Sequence, residues 1–187
     1  MGSDGKREPR HVALLRAVNL GPTRKLPMAA LREMLADLGA TDVETYIASG
    51  NAVYGATAAV ANALPGKLEE AIEARFGFEC PVITRSAAEL ADTLAKNPFL
   101  AREPDDKALH VQFLAEEPAK AAVDALDPEA RSPGDEIAVV GRDVYLWLPN
   151  GVGKSKLDTT FWKKLGTPGT ARNWRTVQKL AAMAEGA

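Results

Sequence analysis

The sequence predicts a duplicated α+β fold with antiparallel sheets and a helix at its C-terminal end. Three observations lead to this prediction. Strand-like and helical segments follow the order β-α-β-β-α-β over the first half of the chain, the same order begins again in the second half, and glycine or proline separates most neighbouring segments. The order of the first half is the split βαβ arrangement of ferredoxin-like folds.

The period of the apolar residues distinguishes the segments of the first half. A nearly continuous apolar run is typical of a central strand, and apolar residues at helical spacing are typical of a helix. We predict a strand over residues 11–18, a loop over 19–26, a helix over 27–38, a hairpin over 43–54 with its turn at Ser49-Gly50-Asn51, a helix opened by Pro65 and a strand over 80–84.

The second half repeats this plan after a connector helix, whose start is indicated by Ser86 and Glu89 at the spacing of a capping box. No closing strand is recognisable in this half, and no residue-level repeat relates it to the first. We predict a strand over residues 108–114, a helix over 118–126, a hairpin over 136–148, a helix over 154–165 and a last helix over 172–183.

The length of the chain suits two halves of this size. Its 187 residues, 46% of them hydrophobic, are enough for one or two modest cores. We therefore predict a disordered tail at residues 1–10, a first ferredoxin-like half with the connector helix at 11–98, and a second βαββα half with the C-terminal helix at 99–187.

Composition favours a protein of the reducing cytoplasm. Cys80 is the single cysteine, which excludes an internal disulfide and a cysteine-based metal site, and its setting favours a buried structural thiol. No apolar run approaches the ~18 residues of a membrane span, and the polar first ten residues lack the apolar core of a signal peptide. We expect a cytoplasmic protein without a membrane partner.

Charge is unevenly distributed along a chain whose net charge is only −2. Residues 1–32 carry seven Lys or Arg against two acids, residues 142–179 carry eight against two, and residues 33–141 carry eight against twenty. Basic surfaces of this kind attract anionic ligands.

The first of three polar clusters is expected where the first two strands end. In a split βαβ sheet of order 4-1-3-2 these strands run parallel, so the loop at 19–26 would lie beside the turn at 49–51. Loops on a rigid scaffold are common ligand sites, although Gly50 and Asn51 also fit a purely structural role in the turn. The cluster contains Asn19, Arg24, Lys25, Ser49 and Asn51.

The second cluster is a glycine-rich stretch over residues 151–156. It is similar to a phosphate-binding loop, but Leu148 stands where that motif requires its first glycine, so we exclude a nucleoside triphosphatase. The pattern predicts that Lys154, Ser155 and Lys156 open a helix whose N–H groups and dipole attract an anion. A capped helix with solvated lysines is the alternative.

The third cluster covers residues 170–175. Arg172 can bind a phosphate bidentately, with Asn173 beside it. Trp174 can stack on a base, but it shares a helical face with apolar residues, which favours a place in the core. Both histidines begin predicted strands and have no partner at motif spacing, so we predict no metal site and no cofactor.

Several motifs follow one another along most of the chain, and they read LLRAVNLG at 14–21, LPM at 26–28, YIASGN at 46–51, NPF at 97–99, HVQF at 110–113, GVGKSKL at 151–157 and TARNWRTV at 170–177. Together they resemble domain-of-unknown-function family 1697 of uncharacterised bacterial proteins. Two departures stand in the first motif region, since the family usually has glycine where Ala17 and Pro22 stand. The resemblance implies a duplicated α+β fold of ferredoxin-like character and implies no activity.

No residue pattern specifies a reaction, and we predict no catalytic residue. We expect a protein that binds nucleic acid or another phosphorylated ligand through a basic surface containing Asn and Ser. An enzyme acting on a small anionic metabolite and a protein-interaction module, such as a dimer formed through an open sheet edge, are alternatives. The candidate ligand-binding residues are Arg16, Asn19, Lys25, Ser49, Asn51, Lys154, Ser155, Lys156, Arg172 and Asn173.

Overall fold

The structure is a computed structural model that describes residues 7–102 and 105–186. Most of the predicted disordered tail, residues 1–6, lies outside the described residues. Arg10, which the prediction assigned to that tail, is already the first residue of a strand.

The chain divides into two compact units. Unit 1 comprises residues 1–90 together with 180–187, and unit 2 comprises residues 91–179. Within the described residues, each unit contains one four-stranded antiparallel sheet with helices between its strands. The chain ends with a helix, so the predicted duplicated α+β fold is confirmed.

Unit 1 is built on strands β1 (Arg10–Leu15), β2 (Thr41–Thr45), β3 (Asn51–Gly55) and β4 (Val82–Ser86). The order across the sheet is β2-β3-β1-β4, which is the predicted 4-1-3-2 order counted from the other end. Strand β3 is antiparallel to both β1 and β2, so β1 and β2 run parallel and end at the same edge.

Two helices of unit 1 enclose its core, α1 (Met28–Asp37) and α2 (Ala58–Phe76). The prediction that Pro65 opens the second helix is wrong, because Pro65 lies inside α2. Thr57 caps the true start, since its Oγ1 accepts a hydrogen bond from the backbone N–H of Val60. The core joins these helices to alternate residues of the sheet, and it includes Ala13, Leu15, Leu31, Leu35, Ala52, Tyr54, Leu64, Leu68, Ile72 and Val82.

Helix α3 (Ala87–Ala95) begins directly after β4. Ser86 N donates to Glu89 Oε2 at 2.8 Å, and Glu89 N donates to Ser86 Oγ at 3.2 Å. The two residues therefore form the reciprocal capping box that their spacing predicted.

Unit 2 is built on strands β5 (Leu109–Leu114), β6 (Glu136–Val140), β7 (Asp143–Trp147) and β8 (Gly169–Asn173), in the order β6-β7-β5-β8. The prediction of a half without a closing strand is wrong, because β8 pairs with β5. The strand is hard to recognise since it begins with a glycine. A Cβ at Gly169 would lie 2.6 Å from Gln112 Nε2 and 3.0 Å from Phe113 O.

The helices of unit 2 are shorter than predicted, except for the last. The helix expected over 118–126 is reduced to α4 (Lys120–Asp124), which α5 (Pro128–Arg131) follows. The helix expected over 154–165 is reduced to α6 (Thr159–Trp162) and a 3₁₀ segment, Lys163–Leu165. The C-terminal helix, α7, covers Trp174–Glu185. Further 3₁₀ segments lie at Pro98–Arg102 and Asp106–Ala108.

Strand register reveals a residue-level repeat that the sequence alone did not. In both units a histidine occupies the same place in the central strand, and the closing strand carries an arginine followed by a helix-capping residue. His11 pairs with Ser86 and Val12 with Arg85, as His110 pairs with Asn173 and Val111 with Arg172. Asn173 caps α7, because its Oδ1 accepts from Thr176 N at 2.8 Å.

Candidate functional site

Two loops meet at the edge of unit 1 where β1 and β2 end. Loop 1 is residues 16–27 and loop 2 is residues 46–50, and together they form what we call the loop edge. Asn19 joins them, since its Nδ2 donates to Ala48 O at 2.7 Å and to Leu26 O at 2.8 Å, and its Oδ1 accepts from Leu26 N at 2.9 Å. The neighbourhood expected from the strand order is therefore present.

Both asparagines of the predicted cluster hold the loops in place. The two amide hydrogens of Asn19 are used within the protein, as described above. Asn51 is fully buried, and its Nδ2 donates to Tyr46 O at 3.1 Å and to Ser49 Oγ at 3.0 Å. These contacts give the asparagines a structural role, and ligand binding by Ser49 stays a prediction.

Gly50 allows loop 2 to lie directly against the end of β1. Leu15 N donates to Gly50 O at 2.8 Å. A Cβ at Gly50 would lie 2.6 Å from Val18 Cγ2 and 2.7 Å from the Leu15 Cβ, and its φ of +79° also favours glycine. No larger residue fits this contact without movement of the backbone.

Backbone strain is concentrated at the loop edge. Five described non-glycine residues have φ in the left-handed region, and four of them lie here: Ala17, Asn19, Arg24 and Ile47, at 55°, 57°, 56° and 48°. Such conformations cost roughly 1–3 kcal/mol each and persist only where surrounding contacts impose them. For Ile47, a β-branched residue, the conformation is a genuine outlier. Strain of this kind is typical of functional sites.

The loop edge carries two cations whose side chains have no partner among the described residues. Arg24 is folded inward, since its Nε donates to Ala17 O at 3.0 Å and its Nη2 donates to Glu79 O at 2.6 Å. Arg16 and Lys25 differ from it, because their side chains form no hydrogen bond or ion pair within the described part of the chain. Both remain available to an anionic ligand.

Two apolar side chains of the loop edge are also exposed, and sequence reasoning missed them. Leu20 is 79% exposed and Ile47 is 53% exposed. Each is the neighbour in sequence of a residue in the Asn19–Ala48 hydrogen bond, so both stand at the same edge. No sequence pattern distinguishes them from core residues, because exposure depends on the loop conformation.

The glycine-rich stretch of unit 2 forms a turn rather than the start of a helix, so that prediction is wrong. The helix begins only after Asp158, whose Oδ1 accepts from Phe161 N at 3.0 Å. Backbone N–H groups from 154 to 158 are all bonded within the unit, to Gly151 O, Val152 O, Ser132 Oγ, Ser155 Oγ and Lys156 O. They are therefore not available to an anion.

What remains of this cluster is a pair of lysines. Lys154 and Lys156 are exposed, and neither side chain has a hydrogen-bond or ion-pair partner among residues 7–102 and 105–186. Ser155 Oγ is occupied by Leu157 N at 3.2 Å. We call residues 151–156 the lysine turn.

The third predicted cluster is mostly part of the fold. Arg172 is 8% exposed, and its Nη1 donates to Thr170 Oγ1 and to Ala171 O, both at 2.8 Å. Asn173 caps α7, as described above. Trp174 is 2% exposed, which confirms the expectation that it belongs to the core.

Comparison with known proteins places the chain in a family. The family model described as Protein of unknown function (DUF1697) matches residues 9–145. The chain belongs to this family. The structure of conserved bacterial protein SP0830 from Streptococcus pneumoniae is similar, with a TM-score of 0.73, 23% identity, and coverage of 94% of this chain and 98% of that chain. No curated protein matches.

The expected resemblance is thus confirmed, and this DUF1697 protein shares its fold with a bacterial protein. At 23% identity the solved structure shows a common fold only. The family description assigns no ligand and no reaction.

Tyr54, Tyr145 and His110 of this DUF1697 protein are buried, and His11 is half-buried. Burial lowers the pKa of both His11 and His110, and it raises the pKa of Tyr54 and Tyr145. His11 stacks on Tyr54 with 5.6 Å between the ring centroids. Residues in such positions are poorly placed to exchange protons with a bound substrate.

A separate groove of unit 1, with a volume of about 690 Å³, lies where β1 and β2 begin. Arg10 lines this groove and neutralises the charge of Glu44, because its Nη2 pairs with Glu44 at 3.0 Å. Its Nη1 donates to Asp42 O at 2.8 Å. The remaining lining includes Arg7, Glu8, Val43, Met183, Glu185 and Gly186. The charges of both signs give the groove no clear preference for one class of ligand.

Two searches of the described residues found no candidate. No group of three or more His, Cys, Asp or Glu side chains could hold a metal ion. No helix in residues 7–102 and 105–186 combines the length and apolar character needed to cross a membrane.

Proposed function

We propose that this protein binds a phosphate-bearing ligand, a class that includes nucleic acid, through Arg16 and Lys25 of the loop edge. Cys80 is the single cysteine of the chain and is buried, which is compatible with a cytoplasmic location that we include in the proposal. The proposal is one of binding and assigns no reaction.

The observation that carries it is the contrast among the cations of the loop edge. Arg24 donates hydrogen bonds to backbone carbonyls, while the side chains of Arg16 and Lys25 have no partner within the described residues. The backbone N–H groups of Gly21 and Ile47 likewise have no acceptor there. Cations and N–H groups that lie on the same two loops, which Asn19 joins, offer a surface for an anion.

Lys154 and Lys156 of the lysine turn support the same proposal independently. Their backbone is held by Arg131, whose Nε donates to Lys156 O at 3.0 Å and whose Nη2 pairs with Asp158 at 2.6 Å. The lysine side chains therefore project from a braced turn, and they would add electrostatic contacts to a long ligand such as nucleic acid.

The alternative functions have less support. An enzyme needs a group that can move a proton, and the histidines are held in strands with lowered pKa values. A dimer formed through an open sheet edge depends on the second half lacking a closing strand, and β8 supplies that strand.

The test uses fluorescence anisotropy with short single- and double-stranded DNA and RNA over a series of salt concentrations. If two phosphate contacts are removed by Arg16→Ala/Lys25→Ala, the slope of log affinity against log salt should become shallower by roughly 2. The control is Lys67→Ala/Arg75→Ala, which makes the same charge change on α2 of unit 1 and should leave the slope near that of the wild type.

Titration calorimetry with tripolyphosphate tests whether the protein binds a phosphate-bearing ligand other than nucleic acid. Binding of either probe that depends on Arg16 and Lys25 supports the proposal. Absence of binding to both probes at low salt would exclude nucleic acid and free polyphosphate as the ligand, and binding that the two double variants weaken equally would show the proposal to be wrong.

A further inference from the structure

The exposed apolar residues of the loop edge need an explanation that a phosphate alone does not supply. Leu20 and Ile47 are 79% and 53% exposed, whereas in unit 2 Val152 is 61% exposed and Leu100 and Val140 are each 40% exposed. They flank the hydrogen bond that joins the two loops, so they form a pair rather than scattered surface residues.

Ile47 is held in place at a cost to the folded protein. Its φ of 48° suits Asn or Gly and is rare for a β-branched residue. Bonds on both sides hold it, because Tyr46 N donates to Asn51 O at 3.0 Å and Asn19 Nδ2 donates to Ala48 O. More than half of Ile47 is exposed in this conformation, so a bound partner is a reason for it.

The partner must offer apolar material and negative charge together. Aliphatic side chains cannot stack on bases as aromatic rings do, so they add little to nucleic-acid binding. A protein interface requires a contact surface of about 1,000 Å² or more, whereas exposed apolar side chains beside basic residues are the features with which proteins enter the boundary between lipid headgroups and acyl chains. Arg16 and Lys25 at the same edge complement the phosphates of anionic lipids.

We propose that the loop edge docks on a membrane surface that contains anionic phospholipid, with Leu20 and Ile47 entering the acyl boundary and Arg16 and Lys25 contacting headgroup phosphates. This inference rests on the proposed function and identifies the phosphate-bearing ligand as a lipid. The sequence led us to expect no membrane partner because it has no spanning segment, and a surface contact by two loops needs none.

The test is co-sedimentation of the full chain with vesicles of phosphatidylcholine alone and of equal parts phosphatidylcholine and phosphatidylglycerol. We expect binding to the second kind and at most weak binding to the first. The apolar variant is Leu20→Ser/Ile47→Asn, in which Asn suits the left-handed backbone and so protects the fold. It should weaken vesicle binding at least about tenfold, since burial of two aliphatic side chains is lost.

The control variant, Leu100→Ser/Val140→Ser, removes two less exposed apolar residues of unit 2 and should bind like the wild type. Arg16→Ala/Lys25→Ala should also weaken binding, whereas the Lys67→Ala/Arg75→Ala variant should not.

Three results would overturn the lipid inference. Vesicle binding that the apolar variant leaves unchanged would show a purely electrostatic contact. Binding of nucleic acid or tripolyphosphate without binding of vesicles would also overturn it, and in both cases the proposed function would stand. Failure to bind any of the three probes would overturn both proposals.

Discussion

Units 1 and 2 share one strand order, but their long connections lie at opposite edges of their sheets. In unit 1 the long connections, 16–27 and 46–50, lie where the first strand ends, while β3 leads into α2 through residues 56–57 alone. In unit 2 the corresponding turn is the short 141–142, and the long connection is 148–158, after β7.

The comparison shows how a duplicated sheet can diversify. The central strands keep the same register in both units, with His11 and His110 in equivalent places, because the ladder permits little variation. Connections at either edge are under no such constraint. The loop edge and the lysine turn both lie in the enlarged connections, where each unit departs from the common plan.

The equivalent hairpin turns give the largest expected contrast. Gly50→Ala should lower the free energy of unfolding by about 3 kcal/mol, because its Cβ would meet Val18 and Leu15 and its φ is +79°. Gly141→Ala in unit 2 meets no atom within 4 Å and should cost only about 1 kcal/mol. Urea unfolding of both variants measures the difference. Equal costs would mean that the two turns are held alike.

Asn19 joins loops 1 and 2 by a side-chain amide, whereas in unit 2 the corresponding turn and loop are joined by Arg142, whose Nη1 donates to Ala115 O at 3.3 Å. Asn19→Ala removes three hydrogen bonds and should cost about 2 kcal/mol, since the carbonyls of Leu26 and Ala48 lose their partner. Asn150→Ala, at an exposed position in the long connection of unit 2, should change stability by less than about 0.5 kcal/mol. A similar value for both variants in chemical denaturation would argue against this role of Asn19.

The equivalent histidines should differ in their effect on pH dependence. Burial lowers both pKa values, so the unfolded chain takes up protons first, and stability falls as the pH drops from about 6.5 through the folded pKa. His110 is 9% exposed and the more buried of the two. His110→Gln should therefore reduce the loss of stability between pH 7 and pH 5, and His11→Gln should reduce it by less.

Denaturation at several pH values measures both slopes. A His110→Gln slope equal to that of the wild type would mean that other groups cause the pH dependence.

The smallest expected effect is a gain in stability. Ala17→Gly should stabilise the protein by about 0.5 kcal/mol, because glycine adopts a φ of 55° without the penalty that alanine incurs. The family resemblance, in which glycine usually stands there, gives the same expectation. Ala122→Gly inside α4 should instead destabilise by about 0.5–1 kcal/mol. Thermal unfolding that showed a loss for both would contradict the backbone explanation.

The fold could be predicted where local patterns and topology agree. The apolar run at 11–18 indicated the central strand, and the known split βαβ order then placed loop 1 beside loop 2. Prediction failed where a residue's ordinary preference was overruled by its neighbours. Pro65 is tolerated inside α2, and β8 begins with Gly169, whose missing side chain is required by Gln112 and Phe113.

The candidate site divides in the same way. The sequence determined which residue types stand at each end of the chain, and it identified Ser86 with Glu89 and Trp174 correctly because these roles depend on spacing along a helix. It could not show that Asn19 donates both amide hydrogens to carbonyls, or that Arg16 and Lys25 have no ion-pair partner in residues 7–102 and 105–186.

Only the tertiary structure decided which side chains of the loop edge face solvent. Leu20 and Ile47 are residue types that usually lie in the core. Their exposure follows from the left-handed backbone of these loops, which is imposed by hydrogen bonds between distant parts of the chain. Long-range contacts of this kind have no signature in local sequence, whereas strands, caps and helical faces are set by residues a few positions apart.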